Sequence, residues 1–361
     1  SLVGSEMCIR DSPKATGKAM KPRVFIVQPV PPEPLERLAQ HAEIDMFDRL
    51  DRMASREEMM EGMSQADYVF ALGENPIDSQ MIEAAAKLKL IAVMEIFPVR
   101  LDIAAATARG IPVSALNQPR VITETTAEFT FALIMATSWR IPEADAMLRA
   151  GGWRQYQSRK LPAQRLKGKT LGIVGLGSIG SGVARMANAA GMRVLYTDQA
   201  RFDATREAEL GAEWRDIDAL FAEADIVALT TILTEKTRGL VGAPLIARMK
   251  REALLINTSR GPVLDEAALA DALDSGAIRG AGLDVYQIEP PEPGFGPDPR
   301  LLERDNVVLT PHIGTSAEET RAWMAGQVVD DIIAHIEGRE PAWLLNPEIY
   351  GRPPLGTDRI G

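Results

Sequence analysis

From residue 23 onward, short apolar runs alternate along the chain with amphipathic stretches. The apolar runs are continuous, which is typical of parallel strands that are buried on both faces. In the first third of the chain we predict strands at 23–28, 67–72 and 88–94, and helices at 34–42 and 78–88. Asp78 stands at the N-cap position of the second helix. Strands and helices that alternate in this way predict a parallel α/β unit with right-handed crossovers.

A second α/β series comes after two helices, a long one predicted at 122–139 and a shorter one at 141–153. Residues 151–168 are polar and rich in Gly, Lys and Arg, which favours a loop. Further strands are predicted at 169–175, 193–198, 224–230, 253–259, 280–285 and 306–311, with helices between most of them. The two series together predict two doubly wound parallel sheets.

Two segments late in the chain complete this interpretation. The stretch 289–299 contains too many Pro and Gly residues for a helix or a strand, so we predict a loop. A final amphipathic helix is predicted over 316–340, and Ser316 and Glu319 at its start have the spacing of a capping box.

The chain has 361 residues, a length that suggests two domains, and its formal net charge is −10. Because no block of Lys or Arg occurs, we expect no nucleic acid and no membrane surface as partner. The single cysteine, Cys8, excludes a disulfide framework and a cysteine-rich metal site, and we expect a soluble cytoplasmic protein. The first twelve residues show no periodicity that continues into the rest of the chain, so we expect residues 1–20 to be a non-native or unstructured tail.

Three glycines join a predicted strand to a predicted helix. Gly175, Gly177 and Gly180 have G-x-G-x-x-G spacing, in which the first makes a tight turn, the second admits a diphosphate and the third packs helix on strand. The helix N-terminus adds free N–H groups for the diphosphate. The next strand ends at Asp198, where a carboxylate binds ribose hydroxyls and disfavours a 2′-phosphate. We therefore predict an NAD site, with a turn that serves packing alone as the alternative.

Three histidines occur in the chain, and His312 differs from the other two. His41 and His335 fall in helical patterns, where a packing or surface role is the better interpretation. His312 follows a strand, at the edge where doubly wound folds bind ligands, and Arg260 and Glu289 also follow apolar strands. Arginine offers a planar fork for a carboxylate, and a glutamate beside an imidazole orients the ring and stabilises its protonated form. A surface ion pair for Arg260 and an exposed loop position for Glu289 are the alternatives.

The chain resembles the D-isomer-specific 2-hydroxyacid dehydrogenases over about residues 23–346. The resemblance rests on the segments VGLGSIG, NTSRGPVLDEAALADALDSGAIRGAGLDVYQIEP and LTPHIGTSAEE. The separations of 29 residues from Arg260 to Glu289 and 23 from Glu289 to His312 also match that family. The resemblance implies that these three residues are catalytic.

The resemblance also implies an NAD site and a domain organisation. The residues implied to line the NAD site are Gly175, Gly177, Ser178, Ile179, Gly180, Asp198, Thr230, Thr258, Arg260, Asp284, His312 and Thr315. A Rossmann NAD-binding domain, 121–311, would be inserted in a flavodoxin-like substrate domain made of 21–120 and 312–346, with 347–361 as a tail. Homodimers joined largely through the NAD-binding domain are implied as well. From the residues themselves we expect no metal site.

The segment VMEIFPVR (93–100) departs from the glycine-rich substrate loop of many family members. We expect Glu95, Ile96 and Phe97 to contact the substrate together with Arg260 and His312. If Glu95 points inward it repels a second anionic group, which favours glyoxylate or hydroxypyruvate over 3-phosphohydroxypyruvate. The alternatives are that Glu95 faces solvent, or that a nearby arginine (Arg100 or Arg120) attracts a phosphate.

The expected reaction is hydride transfer between NAD(H) and C2 of a small D-2-hydroxy or 2-oxo acid. Activity like that of 3-phosphoglycerate dehydrogenase is one alternative, and a non-catalytic NAD-sensing protein of the corepressor type is another. A formate dehydrogenase is disfavoured because Glu289 stands where glutamine is expected. A metal hydrolase is disfavoured because no pair of histidines has ligand spacing.

Overall fold

The computed structural model describes residues 20–96, 98–117, 120–156, 159–289 and 296–353. The strands in these ranges are β1 (Arg23–Ile26), β2 (Glu43–Met46), β3 (Tyr68–Ala71), β4 (Leu90–Val93), β5 (Val113–Ser114), β6 (Thr170–Val174), β7 (Arg193–Thr197), β8 (Ala212–Trp214), β9 (Ile226–Leu229), β10 (Leu254–Asn257), β11 (Gly280–Leu283) and β12 (Val307–Leu309).

Most of the helices connect successive strands of one sheet as crossovers. They are α1 (Pro32–His41), α2 (Arg56–Gln65), α3 (Ser79–Ala84), α4 (Ile103–Ala108), α5 (Arg120–Ser138), α6 (Ile141–Arg149), α7 (Ser178–Ala189), α8 (Ala204–Leu210), α9 (Ile217–Glu223), α10 (Ala243–Ile246), α11 (Glu266–Asp274), α12 (Pro299–Leu302) and α13 (Glu318–Ile336). Short 3-10 helices occupy Gly261–Val263 and Pro347–Tyr350. Among the described residues, none of the helices combines the length and the apolar character that a membrane span requires.

The strands form two parallel sheets, which confirms the predicted fold class. The first sheet has the order β2-β1-β3-β4-β5, and the second β12-β11-β10-β9-β6-β7-β8. The first is the flavodoxin-like order and the second extends the Rossmann order by one strand. Each sheet has a switch point where the crossovers change direction, between β1 and β3 in the first sheet and between β6 and β9 in the second. At such a point a crevice opens at the carboxyl ends of the strands.

Each sheet has its own apolar core. In the core of the first sheet, α13 packs against α1 and β4. It buries Met324, Val328 and Ile332 in the same apolar cluster as the strands. In the second, one cluster includes Leu229 and Leu255 and another lies beneath α5 and α7. The return of α13 to the first sheet agrees with the predicted inserted arrangement, although the domain boundaries stay predictions.

The chain after α13 also returns to the first sheet. Asn346 is fully buried; its side-chain oxygen accepts from the Val113 amide at 2.8 Å, and its side-chain nitrogen donates to the Ile111 carbonyl at 2.9 Å. The segment predicted as a tail from 347 begins with the 3-10 helix Pro347–Tyr350, and residues 354–361 lie outside the described part of the chain, as do 1–19.

Several predicted elements need correction. The final helix begins at Glu318 rather than Ser316, its N-cap is Ala317, and no capping box forms there; the Ser316 amide instead closes a turn on the Ile313 carbonyl. The helix predicted at 141–153 ends at Arg149.

The prediction missed β2, α2 and β8. β2 and β8 lie at the edges of their sheets, and α2 carries little apolar periodicity, although Ser55 and Glu58 form a capping box at its start. The N-cap predicted for α3 is confirmed, because the Asp78 carboxylate accepts from the Met81 amide at 3.0 Å.

Candidate active site

His312 and Glu289 meet at the carboxyl edge of the second sheet. His312 follows β12, and its Nδ1 lies 2.6 Å from Glu289 Oε2. The other carboxylate oxygen of Glu289 accepts a hydrogen bond from the Tyr286 amide. The contact with Nδ1 leaves Nε2 of the imidazole for a substrate. The hydrogen bond with Glu289 raises the pKa of His312, against desolvation and the positive charge of Arg260.

The turn that carries His312 is held by a buried carboxylate. Asp284 accepts from the Thr310 hydroxyl at 2.7 Å and from the amides of Ile313 and Gly314, each at 2.9 Å. His312 has a positive φ of 52°, in the left-handed region that a non-glycine residue seldom adopts. These bonds fix the backbone of the turn and so determine where the imidazole lies. The sequence suggested Asp284 only as an NAD contact, and that role stays a prediction.

The loop that carries Glu289 is tied to α11 by a second buried carboxylate. Glu266 accepts from the Gln287 amide at 2.6 Å and from the Asp298 amide at 3.1 Å. It therefore holds both sides of the segment 287–298. Tyr286 adds a link to the histidine strand, because its hydroxyl donates to the Thr310 carbonyl at 2.9 Å. Sequence reasoning missed Glu266 and Tyr286, although both lie inside the matching motif, because no separate signal marked them as partners of the loop.

Arg260 lies in the turn after β10, exposed at the same edge. Buried Asn257 shapes this turn: its side-chain oxygen accepts from the Ser259 amide at 3.0 Å, and its nitrogen donates to the Arg260 carbonyl at 3.3 Å. The next residue must be glycine, because a Cβ on Gly261 would lie 1.7 Å from the Tyr286 carbonyl oxygen. This close approach brings the Arg260 turn against the segment that leads to Glu289.

Two of the three glycines after β6 have the structural roles that their spacing predicts, and the third leaves open space. Gly175 has a φ of +94°, and a Cβ there would lie 2.7 Å from Thr231 Cα. A Cβ on Gly180 would lie 2.2 Å from the Gly175 carbonyl oxygen, so the helix packs closely on the turn. A Cβ on Gly177 would meet no atom within 4 Å. The open space lies at the start of α7, where free amides and the helix dipole favour a diphosphate.

The other predicted NAD contacts surround this turn or lie near His312. Asp198 directly follows β7 and accepts from the amides of Leu176 and Gln199, each at 2.7 Å. The Thr230 hydroxyl donates to the Gly175 carbonyl at 2.7 Å and so braces the glycine turn across the switch point. The remaining predicted contacts are Ser178 and Ile179 in the first turn of α7, Thr258 hydrogen-bonded to Thr130 at 2.7 Å, and Thr315 in the turn after His312.

The predicted substrate loop follows β4. Glu95 and Ile96 are half-buried there, Pro98 is buried, and Phe97 lies outside the described residues. Glu95 lies in the field of Arg260 and His312, whose positive charges lower its pKa, whereas burial, the larger effect, raises it. Arg120, by contrast, pairs with Glu124 on its own helix at 2.5 Å. Among the described residues, no group of three or more His, Cys, Asp or Glu side chains could hold a metal ion.

A Rossmann sheet with a glycine turn, and with an imidazole paired to a carboxylate at its carboxyl edge, is typical of one class of proteins, the nicotinamide-dependent dehydrogenases. Residues 131–314 match the family described as "D-isomer specific 2-hydroxyacid dehydrogenase, NAD binding domain". The chain belongs to this family of NAD(P)-dependent oxidoreductases, which confirms the resemblance.

Several relatives share nearly the whole length. A glyoxylate reductase of Korarchaeum cryptofilum is 42% identical over 337 residues, which cover 93% of this chain and 99% of the relative. The solved structure of the TT0316 protein from Thermus thermophilus has a TM-score of 0.79 at 36% identity and covers 90% of this chain and 99% of that one. An NADPH-dependent glyoxylate/hydroxypyruvate reductase from Sinorhizobium meliloti, solved with NADP and malonate, has a TM-score of 0.71 at 28% identity and covers 90% and 96% of the two chains.

Proposed function

We propose that this protein reduces glyoxylate and hydroxypyruvate with NADH, and that Arg260, Glu289 and His312 are its catalytic residues. The observation that carries the proposal is the contact of Glu289 with His312 Nδ1. It holds the imidazole in one orientation and favours the protonated ring that reduction requires. Similarity to several glyoxylate reductases supports the choice of substrate.

The residues divide the chemistry among them. The Arg260 guanidinium binds the substrate carboxylate and polarises the oxygen on C2. His312 donates its Nε2 proton to that oxygen in reduction and accepts it in oxidation, while the Glu289 carboxylate balances the charge of the ring. NADH, when bound, supplies the hydride that goes to C2. The glycine turn and the first amides of α7 would hold its diphosphate.

We propose NADH rather than NADPH as the preferred cofactor. The support is the carboxylate of Asp198 directly after β7, which would bind the ribose hydroxyls and repel a 2′-phosphate. The cation nearest in sequence is already engaged, because Arg201 forms two hydrogen bonds with Glu207 at 2.8 and 2.9 Å. Arg201 therefore offers little compensation to a 2′-phosphate.

The test is a set of 2-oxo acids incubated with NADH or NADPH, with nucleotide oxidation followed by absorbance. The proposal predicts turnover with glyoxylate and hydroxypyruvate, and D-glycerate as the product of hydroxypyruvate on chiral chromatography. Absence of turnover would instead support a non-catalytic NAD-sensing protein, and a preference for 3-phosphohydroxypyruvate would support the activity of a 3-phosphoglycerate dehydrogenase.

We also propose that the protein works in the cytoplasm as a homodimer. The support for the dimer is a set of large apolar side chains that are exposed on α6 and its flanks: Trp139, Ile141, Leu148, Trp153 and Tyr156. Such a patch on a dehydrogenase domain is typical of a protein interface. In light scattering we expect the mass of a dimer for the wild type and of a monomer for Leu148→Glu. A monomeric wild type would contradict the dimer.

A further inference from the structure

Glu95 has a fixed position between the ends of three strands. It lies two residues beyond β4, where the preceding Met94 amide donates to the Ala71 carbonyl at 2.8 Å. The Glu95 carbonyl accepts from the Leu116 amide at 2.9 Å. The backbone of the loop is therefore tied to the segment after β5 on one side and to the end of β3 on the other. These two hydrogen bonds therefore fix the backbone from which the Glu95 side chain projects.

The side chain of Glu95 lies over Gly73, in the loop after β3. A Cβ on Gly73 would lie 1.9 Å from Glu95 Oε2, so the carboxylate occupies the space that any side chain at position 73 would fill. Gly73 does not have a positive φ. Glycine is therefore needed here for space, and its absent side chain is what admits the Glu95 carboxylate.

The charges around Glu95 are those of the reacting centre. Burial raises the pKa of Glu95 and the nearby Glu74 adds to this effect, whereas the positive charges of Arg260, His312 and Arg321 act in the opposite direction and favour the charged carboxylate. Glu74 is itself held by Gln28, whose side-chain amide donates to it at 2.8 Å. In the proposed function, Arg260 binds the substrate carboxylate and the C2 oxygen faces His312. The remaining substituent on C2, the substrate tail, then projects toward the wall of the cleft opposite these two residues. Glu95 lies beyond the carboxyl end of β4 and experiences the charges of both Arg260 and His312, so we assign its side chain to that wall.

We propose that Glu95 is a specificity-determining residue that excludes 2-oxo acids with a second negative charge, and that Gly73 positions its carboxylate. A phosphate or a second carboxylate on the substrate tail would face the Glu95 carboxylate at short range in a partly desolvated cleft. A hydroxyl, as in hydroxypyruvate, can instead donate to it. This proposal rests on the proposed function, since it assumes that Arg260 and His312 hold the substrate.

Binding of the product-side acids tests the proposal without turnover. D-glycerate and 3-phospho-D-glycerate are titrated by calorimetry into the enzyme already saturated with NADH, which cannot oxidise them. We expect the wild type to bind D-glycerate about tenfold or more tightly than the phosphorylated acid, and Glu95→Gln to reduce that ratio about tenfold, as loss of a like-charge contact predicts. Gly73→Ala should move the ratio in the same direction by displacing the carboxylate. Glu83→Gln, an exposed glutamate on α3, is the matched control and should leave the ratio unchanged.

Two results would overturn the proposal: equal ratios in the wild type and Glu95→Gln, or wild-type binding of 3-phospho-D-glycerate that matches or exceeds that of D-glycerate. Failure to bind either acid would also count against it. Glyoxylate-dependent oxidation of NADH, measured on the same preparations, keeps the two claims separate. Turnover without a change in the binding ratio refutes the role of Glu95 alone, whereas a changed ratio without turnover refutes the proposed reaction alone. Thermal melting of Gly73→Ala checks that the variant is folded.

Discussion

Glu289 Oε2 lies 2.6 Å from His312 Nδ1, although 23 residues separate them in the sequence. The two residues come from loops after adjacent strands, β11 and β12, and each loop is fixed by its own buried carboxylate, Glu266 for the first and Asp284 for the second. The relation between acid and imidazole is therefore set by the sheet, and it determines how the site responds to pH.

Replacing Glu289 with Gln should lower the pH at which reduction fails. The hydrogen bond with Glu289 raises the pKa of His312. Reduction requires the protonated ring, so the rate falls as pH rises through that raised pKa, and removal of the carboxylate moves the fall to lower pH. The measurement is the pH profile of kcat/KM for glyoxylate with each protein. Superimposable profiles would show that Glu289 does not control the proton on His312.

Replacing Glu266 with Gln should weaken catalysis from a distance. Each carboxylate oxygen of Glu266 accepts from one backbone amide, one on either side of the Glu289 loop. A glutamine has an acceptor oxygen at only one of these two positions, so one of the two hydrogen bonds is lost. We expect a lower kcat, little change in KM for NADH, and a pH profile displaced toward that of Glu289→Gln. Glu303→Gln, an exposed glutamate just after α12, is the control. If Glu266→Gln loses thermal stability but keeps the wild-type pH profile, Glu266 has a purely structural role.

Much of this arrangement could be predicted from the sequence. The strands and the glycine turn are encoded locally, by buried apolar runs and by residues that need either space or a positive φ. The edge strand β2 and the half-polar helix α2 could not be predicted because their burial depends on neighbours distant in sequence. The same holds for Glu266, which has the same sequence signature as an ordinary first-turn glutamate and becomes an anchor only when the amides of Gln287 and Asp298 lie against it.

At the start of α13 the sequence carries a local helix signal that the structure does not follow. Ser316 and Glu319 have the spacing of a capping box, yet the helix begins two residues later than Ser316. The Asp284 carboxylate captures the amides of Ile313 and Gly314, and the Ser316 amide turns back to the Ile313 carbonyl. The turn that positions His312 therefore takes precedence over the local helix signal.

Replacing Asp198 with Ala should change the choice of cofactor. Loss of hydrogen bonds from the ribose to a charged group is expected to weaken NADH binding about 10- to 100-fold, and loss of the negative charge to improve NADPH relative to NADH. Kd values for both nucleotides, from quenching of protein fluorescence, provide the measurement. Arg201→Ala is the comparison and should alter the ratio little, since Arg201 is bound to Glu207. Wild-type binding that favours NADPH would contradict this account of Asp198.

The most direct test of the central claim is single-turnover reduction of glyoxylate by enzyme-bound NADH, compared between the wild type and His312→Ala. Because the lost step is proton donation to the C2 oxygen, we predict a rate about 10²- to 10⁴-fold lower in the variant, with NADH affinity nearly unchanged. A variant that reduces glyoxylate at close to the wild-type rate would contradict the assignment of His312 as the proton donor.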